Sequence, residues 1–316
     1  MKKQILIYHL IALLDLIKIT VSKNSIAYTL LVAATFVWSA NFIVGKFATL
    51  FEVPPLSLNF YRWVIVWLLL LPFTAKNLIK KFDEIKKNFG LFIIMGITGV
   101  SVFNSVVYFA LNFTQVINAV LMISVIPVAV IFLTSFFRVE KFNIFQLLGL
   151  IISLVGVVTI ISKGSLNTIL SLSFNKGDLW MLVAVFSWAL YSTLLKKRSL
   201  PFTQFELLQI FVTIGLFFLL PQYLAEHYIG KEINYNKAFF SILAFVVIFP
   251  SVFAFYAWQK AIEIIGPTRS SIFLHLMPLF GAIMAIVIFR ETFELYHFIG
   301  AGFIISGIYL SNLKKI

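Results

Sequence analysis

Residues 28–162 and 178–312 carry one pattern twice, at a nearly constant offset. Trp38 and Lys46 return as Trp188 and Lys196, and Ser101-Val102-Phe103 returns as Ser251-Val252-Phe253, all displaced by 150. After a one-residue slip, Pro127, Glu140, Phe142, Gly149 and Gly156 return as Pro278, Glu291, Phe293, Gly300 and Gly307, displaced by 151. Each unit holds an odd number of apolar runs. Two like units with an odd number of crossings enter a bilayer in opposite senses, and inverted repeats are the usual build of a secondary transporter.

The apolar runs leave little chain for a water-facing surface. The sequence is 61% hydrophobic, with 36 Phe and only 12% charged residues, and its mean hydropathy is +1.02. Ten runs reach membrane-crossing length: 26–45, 57–73, 89–111, 116–136, 144–162, 179–195, 204–221, 239–258, 268–289 and 295–312. The expected fold is an all-α polytopic membrane protein of ten transmembrane helices, arranged as two inverted five-helix repeats around a central cavity. The expected units are an extension over 1–25, a first repeat over 26–162, a linker over 163–177 and a second repeat over 178–312.

The net charge of +13 sits in short inter-helix segments and at the termini, which sets orientation and argues against nucleic acid. With the N-terminus inside, 17 Lys and Arg fall on the cytoplasmic side and 6 on the other. Both termini are therefore expected in the cytoplasm, with the chain in the cell (inner) membrane. Residues 1–24 resemble a signal peptide at Lys2, Lys3 and the run Ile5–Leu14, but no small-residue cleavage site follows. Gln4, Asp15, Lys18 and Ser22 share a helical face, so this segment reads either as an amphipathic interfacial helix or as a poorly ordered extension. Zero Cys excludes disulfides and thiol chemistry.

The segments "AATFVWSANFIVGK", "PPLSLNFYRWVIVWLLLLP" and "ALNFTQVINAVLMISVIPVAVIFLTSFFRVEKFNIFQLLGLIISLVGVV" in the first half resemble the drug/metabolite transporter superfamily, in particular its EamA-like branch. So does "AIEIIGPTRSSIFLHLMPLFGAIMAIVIFRETFELYHFIGAGFIISGIYL" in the second. The resemblance covers nearly everything after residue 25. It implies ten helices in two inverted five-helix repeats, a central cavity and alternating access without ATP hydrolysis. The seventh run departs most, with Glu206 where the second run has Asn59.

A charge at a helix centre costs about 2.5–3.5 kcal/mol on insertion scales, so polar residues inside the runs point to a path or to helix contacts. Asn104, Tyr108, Asn112 and Gln115 are spaced to share one face of the third run, against Ala254, Trp258, Ile262 and Ile265 in the eighth. This reads as one polar and one aromatic cavity wall, with inter-helix hydrogen bonding as the alternative. Arg62 with Asn59 forms an i, i+3 pair that could anchor a carboxylate or phosphate through the guanidinium fork, or could snorkel to the interface. Asn41, Trp38, Trp188, Tyr191 and Trp258 complete the substrate-binding candidates. Glu206 and Gln209 on the seventh run are gating or coupling candidates at the opposite end from Arg62. His275 is a candidate for both substrate binding and a coupling proton, or else a neutral packing residue. Pro127 and Pro278 occupy paired mid-run positions that tend to mark moving segments. Small faces at Gly149, Ser153, Gly156, Gly300 and Gly307 read as scaffold.

The expected function is secondary transport of a small organic metabolite, an amino acid or related zwitterion, in the direction of export. No metal, cofactor or catalytic set is expected; a proton is the candidate coupling ion and the bilayer the surroundings. The alternative is an intramembrane transferase acting on lipid or glycan substrates, which H-e-x-x-h-type and g-x-s-x-g-type signatures would support and which this sequence does not carry.

Overall fold

A computed structural model describes residues 22–114, 116–173, 175–197, 200–230 and 232–313, so the 1–21 part of the extension and Gln115 lie outside the described residues. With short helices at Phe82–Lys87 and Leu166–Leu170 between them, ten long helical units follow one another among the described residues. They are α1 (Lys23–Leu50), α2 (Pro55–Lys80), and α3, which joins Phe89–Gly96, a π segment Ile97–Val102 and Phe103–Ala110. Next come α4, joining Val116–Ile123 and Ile126–Phe136, then α5 (Ile144–Ile161), α6 (Lys176–Lys197) and α7 (Gln204–Tyr228). The unit α8 joins Lys237–Val246, a π segment Val247–Phe253 and Ala254–Ile265. Finally α9 joins Pro267–Ser271, a 3₁₀ turn Ile272–His275 and Leu276–Phe289, and α10 spans Leu295–Asn312. Among the described residues there is no strand.

Nine of these units are long and apolar enough to cross a membrane. The tenth, α10, is 18 residues long and carries Tyr296, His297, Tyr309, Ser311 and Asn312. Several helices overrun their expected ends: α1 runs past 45 to Leu50 and α8 past 258 to Ile265, while α2 continues through Pro72 to Lys80 and α7 through Pro221 to Tyr228. A proline lacks only its own N–H, so a helix that loses that bond can resume beyond it when neighbouring helices support it.

Polar side chains fix the starts of several helices. Asn143 with Gln146 forms a reciprocal capping box on α5, and Glu294 with His297 forms one on α10 at positions displaced by 151. Thr203 with Glu206 does the same on α7, and Asn175 with Asp178 on α6, through Asn175 N to Asp178 Oδ2 at 2.9 Å and Asp178 N to Asn175 Oδ1 at 3.2 Å.

Helix packing follows a pattern that survives exchange of the two halves. α5 lies along α10 and α2 along α7; α1 packs on the last part of α8 and on α9, while α6 packs on the last part of α3 and on α4. Replace each of the first five helices by its counterpart in the last five, and α1–α8 becomes α6–α3 and α1–α9 becomes α6–α4. The closest contact is α5 against α10. A β-carbon at Gly149 would collide with the Gly307 carbonyl, and one at Gly156 would fall 2.6 Å from the Gly300 carbonyl. Small residues let the two backbones touch, which supplies dispersion contacts where lipid removes the hydrophobic drive for helix association.

The irregular segments also recur in pairs. The π segments of α3 and α8 start 150 residues apart and both contain the repeated Ser-Val dipeptide. π segments are frequent at functional sites, where they re-aim side chains. In α4 a two-residue break at Ser124 and Val125 precedes Pro127, and in α9 the 3₁₀ turn precedes Pro278. Both prolines therefore stand at restarts of a helix; neither lies inside a continuous one.

Candidate functional site

At the centre, helices α1, α2, α6 and α8 supply a layer of aromatic rings. Trp38 of α1 lies 5.3 Å from Trp188 of α6, 5.4 Å from Trp258 and 6.1 Å from Phe255 of α8, centroid to centroid. Phe255 is the hub: it also meets Trp63 of α2 at 5.1 Å, Trp188 at 5.5 Å and Tyr191 at 6.1 Å. Most of these pairs are edge-to-face, the arrangement favoured by the ring quadrupole. Two indoles are pinned, Trp38 Nε1 donating to the Pro250 carbonyl in the α8 π segment and Trp258 Nε1 to Ser192 Oγ, each at 3.1 Å.

On one side of this layer lies a small cleft lined by Asn41, Val44, Gly45, Leu58, Asn59, Arg62 and Val246. Asn41 is one helical turn from Trp38, and Arg62 precedes Trp63, with its guanidinium carbon 4.7 Å from that ring's centroid. The Arg62 side chain is buried, as is Asn59, whose carboxamide oxygen and nitrogen have no hydrogen-bond partner. A buried amide left unpaired is costly, so its presence in a cleft wall needs a ligand or solvent role. A guanidinium beside two carboxamides is a donor-rich surface suited to a carboxylate.

On the other side, α6, α7 and α8 bury Tyr191, Gln209 and Gln259. The remaining expected residues separate from these. Helix α3 ends at Ala110, and Asn112 lies in the following turn, exposed, with its amide donating to the Phe109 carbonyl. The expected stripe from Asn104 through Gln115 is thus no continuous helical face, because the chain turns at 111–114 to bring Thr114 onto Asp178 at 2.6 Å. Asn104 is half-buried on α3; the Tyr108 side chain lies outside the described residues. His275 is fully buried between α4, α5 and α9, with Nδ1 2.7 Å from Ser153 Oγ and Nε2 2.9 Å from the Ser124 carbonyl, away from the cleft.

The helix ends around the site are tied by charged and polar groups. Glu206 sits in the first turn of α7, accepts from Thr203 N, and pairs with Lys81 past the end of α2 at 2.8 Å. Its location is a helix terminus, one end of an antiparallel pair; at the other end Glu226 of α7 holds the start of α2. The Glu226 carboxylate is buried and accepts from Leu56 N at 3.2 Å, Ser57 N at 2.6 Å and Ser57 Oγ at 2.8 Å. At the Glu206 end, Glu263 of α8 accepts from Lys260 and from Gln204, and its carbonyl accepts from Lys196 at 2.6 Å. Glu140 also serves there, accepting from Thr268 N at the start of α9.

Sequence reading missed Phe255, Gln259, Glu226 and Asp178. Phe255 is one of 36 Phe and has no contrast. Gln259 and Glu226 lie past the expected ends of their runs. Asp178 was legible through the Asn175-x-x-Asp178 capping pattern.

The two halves of the chain, residues 25–162 and 175–313, each match the EamA-like transporter family. The chain is 30% identical to an uncharacterized transporter of Archaeoglobus fulgidus, over 92% of its own length and 99% of that protein's. The uncharacterized transporter YyaM of Bacillus subtilis is 26% identical over 90% of this chain and 93% of its own. A crystal structure only 15% identical in sequence aligns with a TM-score of 0.72, covering 92% of this chain and 98% of that one, and shares the fold.

Proposed function

Because the chain belongs to the EamA-like transporter family and is a multi-pass membrane transporter, we propose that it moves an amino acid or related zwitterion by alternating access, as an exporter. In this reading the two halves are inverted repeats in the cell membrane, with both termini cytoplasmic. Lysine and arginine bias supports that orientation. It puts the Arg62 cleft toward the outside and the ties at Glu206 and Glu263 toward the cytoplasm.

One observation carries the reading: helix packing that survives exchange of the halves, around an aromatic layer with the Arg62 cleft beside it. A carrier needs two arrangements of similar energy. Exchangeable packing supplies them, since the half that is closed here can adopt the contacts of the half that is open. The cleft chemistry supports the cargo class, with Arg62, Asn59 and Asn41 for a carboxylate and ring faces for the carbon skeleton. Proton coupling is proposed at Glu206, where loss of charge would release Lys81 and loosen the α2–α7 end.

The test is counterflow in proteoliposomes. A trapped pool of mixed unlabelled amino acids should drive uptake of radiolabelled tracer, and vesicles without the trapped pool should take up little. Tracer entry that ignores the trapped pool would point to a pore. With the pH gradient collapsed, undiminished accumulation would sink proton coupling while leaving the carrier reading intact.

A further inference from the structure

The polar groups beyond the aromatic layer are buried without well-formed hydrogen bonds. Gln209 and Gln259 are 1% exposed and Tyr191 0%. Both carboxamides, on both of their polar atoms, and the Tyr191 hydroxyl have no hydrogen-bond partner; neither does the Trp188 indole N–H. The Tyr191 hydroxyl lies beside the Gln259 amide and interacts with it, short of a well-formed hydrogen bond. Polar groups that served only to hold helices together would pair with a neighbour, as the Trp67 indole N–H does with the Thr213 hydroxyl at 3.0 Å on the α2–α7 seam.

Their depth is fixed by helix register. Tyr191 is one turn past Trp188 on α6, Gln259 one turn past Phe255 on α8, and Gln209 one turn past Glu206 on α7, two residues before Phe211, whose ring lies 5.8 Å from that of Tyr191. One further turn along α8 is Glu263, where Lys196, Gln204 and Lys260 close the end of the molecule. The order along the core is therefore polar cleft, aromatic layer, polar layer, polar ties. Two polar layers flank the rings, one open to a cleft and one shut.

We propose that Tyr191, Gln209 and Gln259 form a second subsite, which opens to the face opposite the Arg62 cleft and takes the ammonium end of the cargo. This rests on the transport reading above. The layer carries no formal charge, and its carboxamide and phenol oxygens are acceptors for an N–H donor. The adjoining Trp188 and Trp258 rings add cation–π attraction, which no anion would gain. Arg62 on the far side of the rings gives the carboxylate end its complement. The two subsites thus divide a zwitterion by charge.

The chain has no cysteine, so single-cysteine variants need no background removal. Gln259→Cys and Gln209→Cys, in vesicles of known orientation, should react with a membrane-impermeant maleimide only from the face of the exposed Lys86. Asn59→Cys should react only from the face of the exposed Asn112. Lys86→Cys and Asn112→Cys report sidedness. A mixture of the twenty amino acids should slow Gln259→Cys labelling at least threefold, and the same mixture N-acetylated should not. Failure of both glutamine positions to label from either face, in vesicles whose controls label, overturns the subsite. Labelling with equal protection by both mixtures overturns the ammonium assignment. The sidedness readout needs no cargo, so absence of counterflow with opposite-face labelling intact would indict the transport reading alone.

Discussion

His275 and Ser124 occupy equivalent places in the two halves of the chain, displaced by 151, and they touch: His275 Nε2 lies 2.9 Å from the Ser124 carbonyl. The carbonyl is available because Val128 N bonds to Val125 at the break before Pro127 and leaves Ser124 without its helical donor. A carbonyl can only accept, so Nε2 carries a hydrogen. Nδ1 lies 2.7 Å from the Ser153 hydroxyl oxygen, which also reaches the Leu150 carbonyl at 3.0 Å. The imidazole satisfies the opening at the break in α4, from the matching irregular turn in α9.

His275→Ala should therefore lower stability by roughly 2–4 kcal/mol, from an orphaned carbonyl together with a cavity in the α4–α5–α9 packing. His275→Gln keeps a donor and should recover part of that. Thermal unfolding in detergent checks both. Transport by His275→Gln should keep its pH profile, and a flattened profile would make His275 the coupling group after all.

Glu226→Gln removes a buried charge that caps α2 through two backbone N–H groups. The expected cost is roughly 1–2 kcal/mol in stability. Asn59 and Arg62 ride the first two turns of that helix, so KM for uptake should also rise. A normal KM with a lowered Tm would confine Glu226 to scaffolding.

Arg62→Lys keeps the charge and loses the planar fork. Affinity for a carboxylate cargo should fall about tenfold, equivalent to roughly 1.4 kcal/mol. Competition assays with amino acids against their amides would read it, since the amides should be affected least.

Gly149→Leu and Gly307→Leu should each prevent assembly or cost more than about 3 kcal/mol, because a β-carbon at either glycine meets the facing helix backbone. Gly302→Ala, on the same α10 helix but with nothing within 4 Å of its β-carbon, should be neutral or gain up to about 1 kcal/mol from helix propensity. Expression level and Tm separate the two classes.

Glu206→Gln keeps the hydrogen-bonding shape of the α7 cap and removes the charge that holds Lys81. Uptake should persist with a weakened dependence on the pH gradient. Equal pH dependence in the variant and the parent would move coupling to another group.

The sequence by itself determined the class of solvent, the duplication and the scaffold. Apolar runs of membrane length, a fixed offset and glycines on one face are periodic signals, and periodicity is local to the chain. The same holds for caps such as Asn143-x-x-Gln146 and Asn175-x-x-Asp178, whose two partners are three residues apart. Tertiary structure alone decided which groups meet. Arg62, Asn59 and Asn41 were legible as polar residues in apolar runs, but their convergence on one cleft required α1 and α2 to be placed. Phe255 among so many phenylalanines, Gln259 beside Lys260, and Glu226 beyond Pro221 carried no periodic mark. Roles at the core come from partners far along the chain, as in Trp258 with Ser192, Glu226 with Ser57 and Trp38 with Pro250, which are 66, 169 and 212 residues apart. The Asn112 turn shows the converse, where regular spacing suggested a face that the chain breaks to reach Asp178. Contacts at that range depend on how helices cross, and helix crossing is set by packing of whole surfaces.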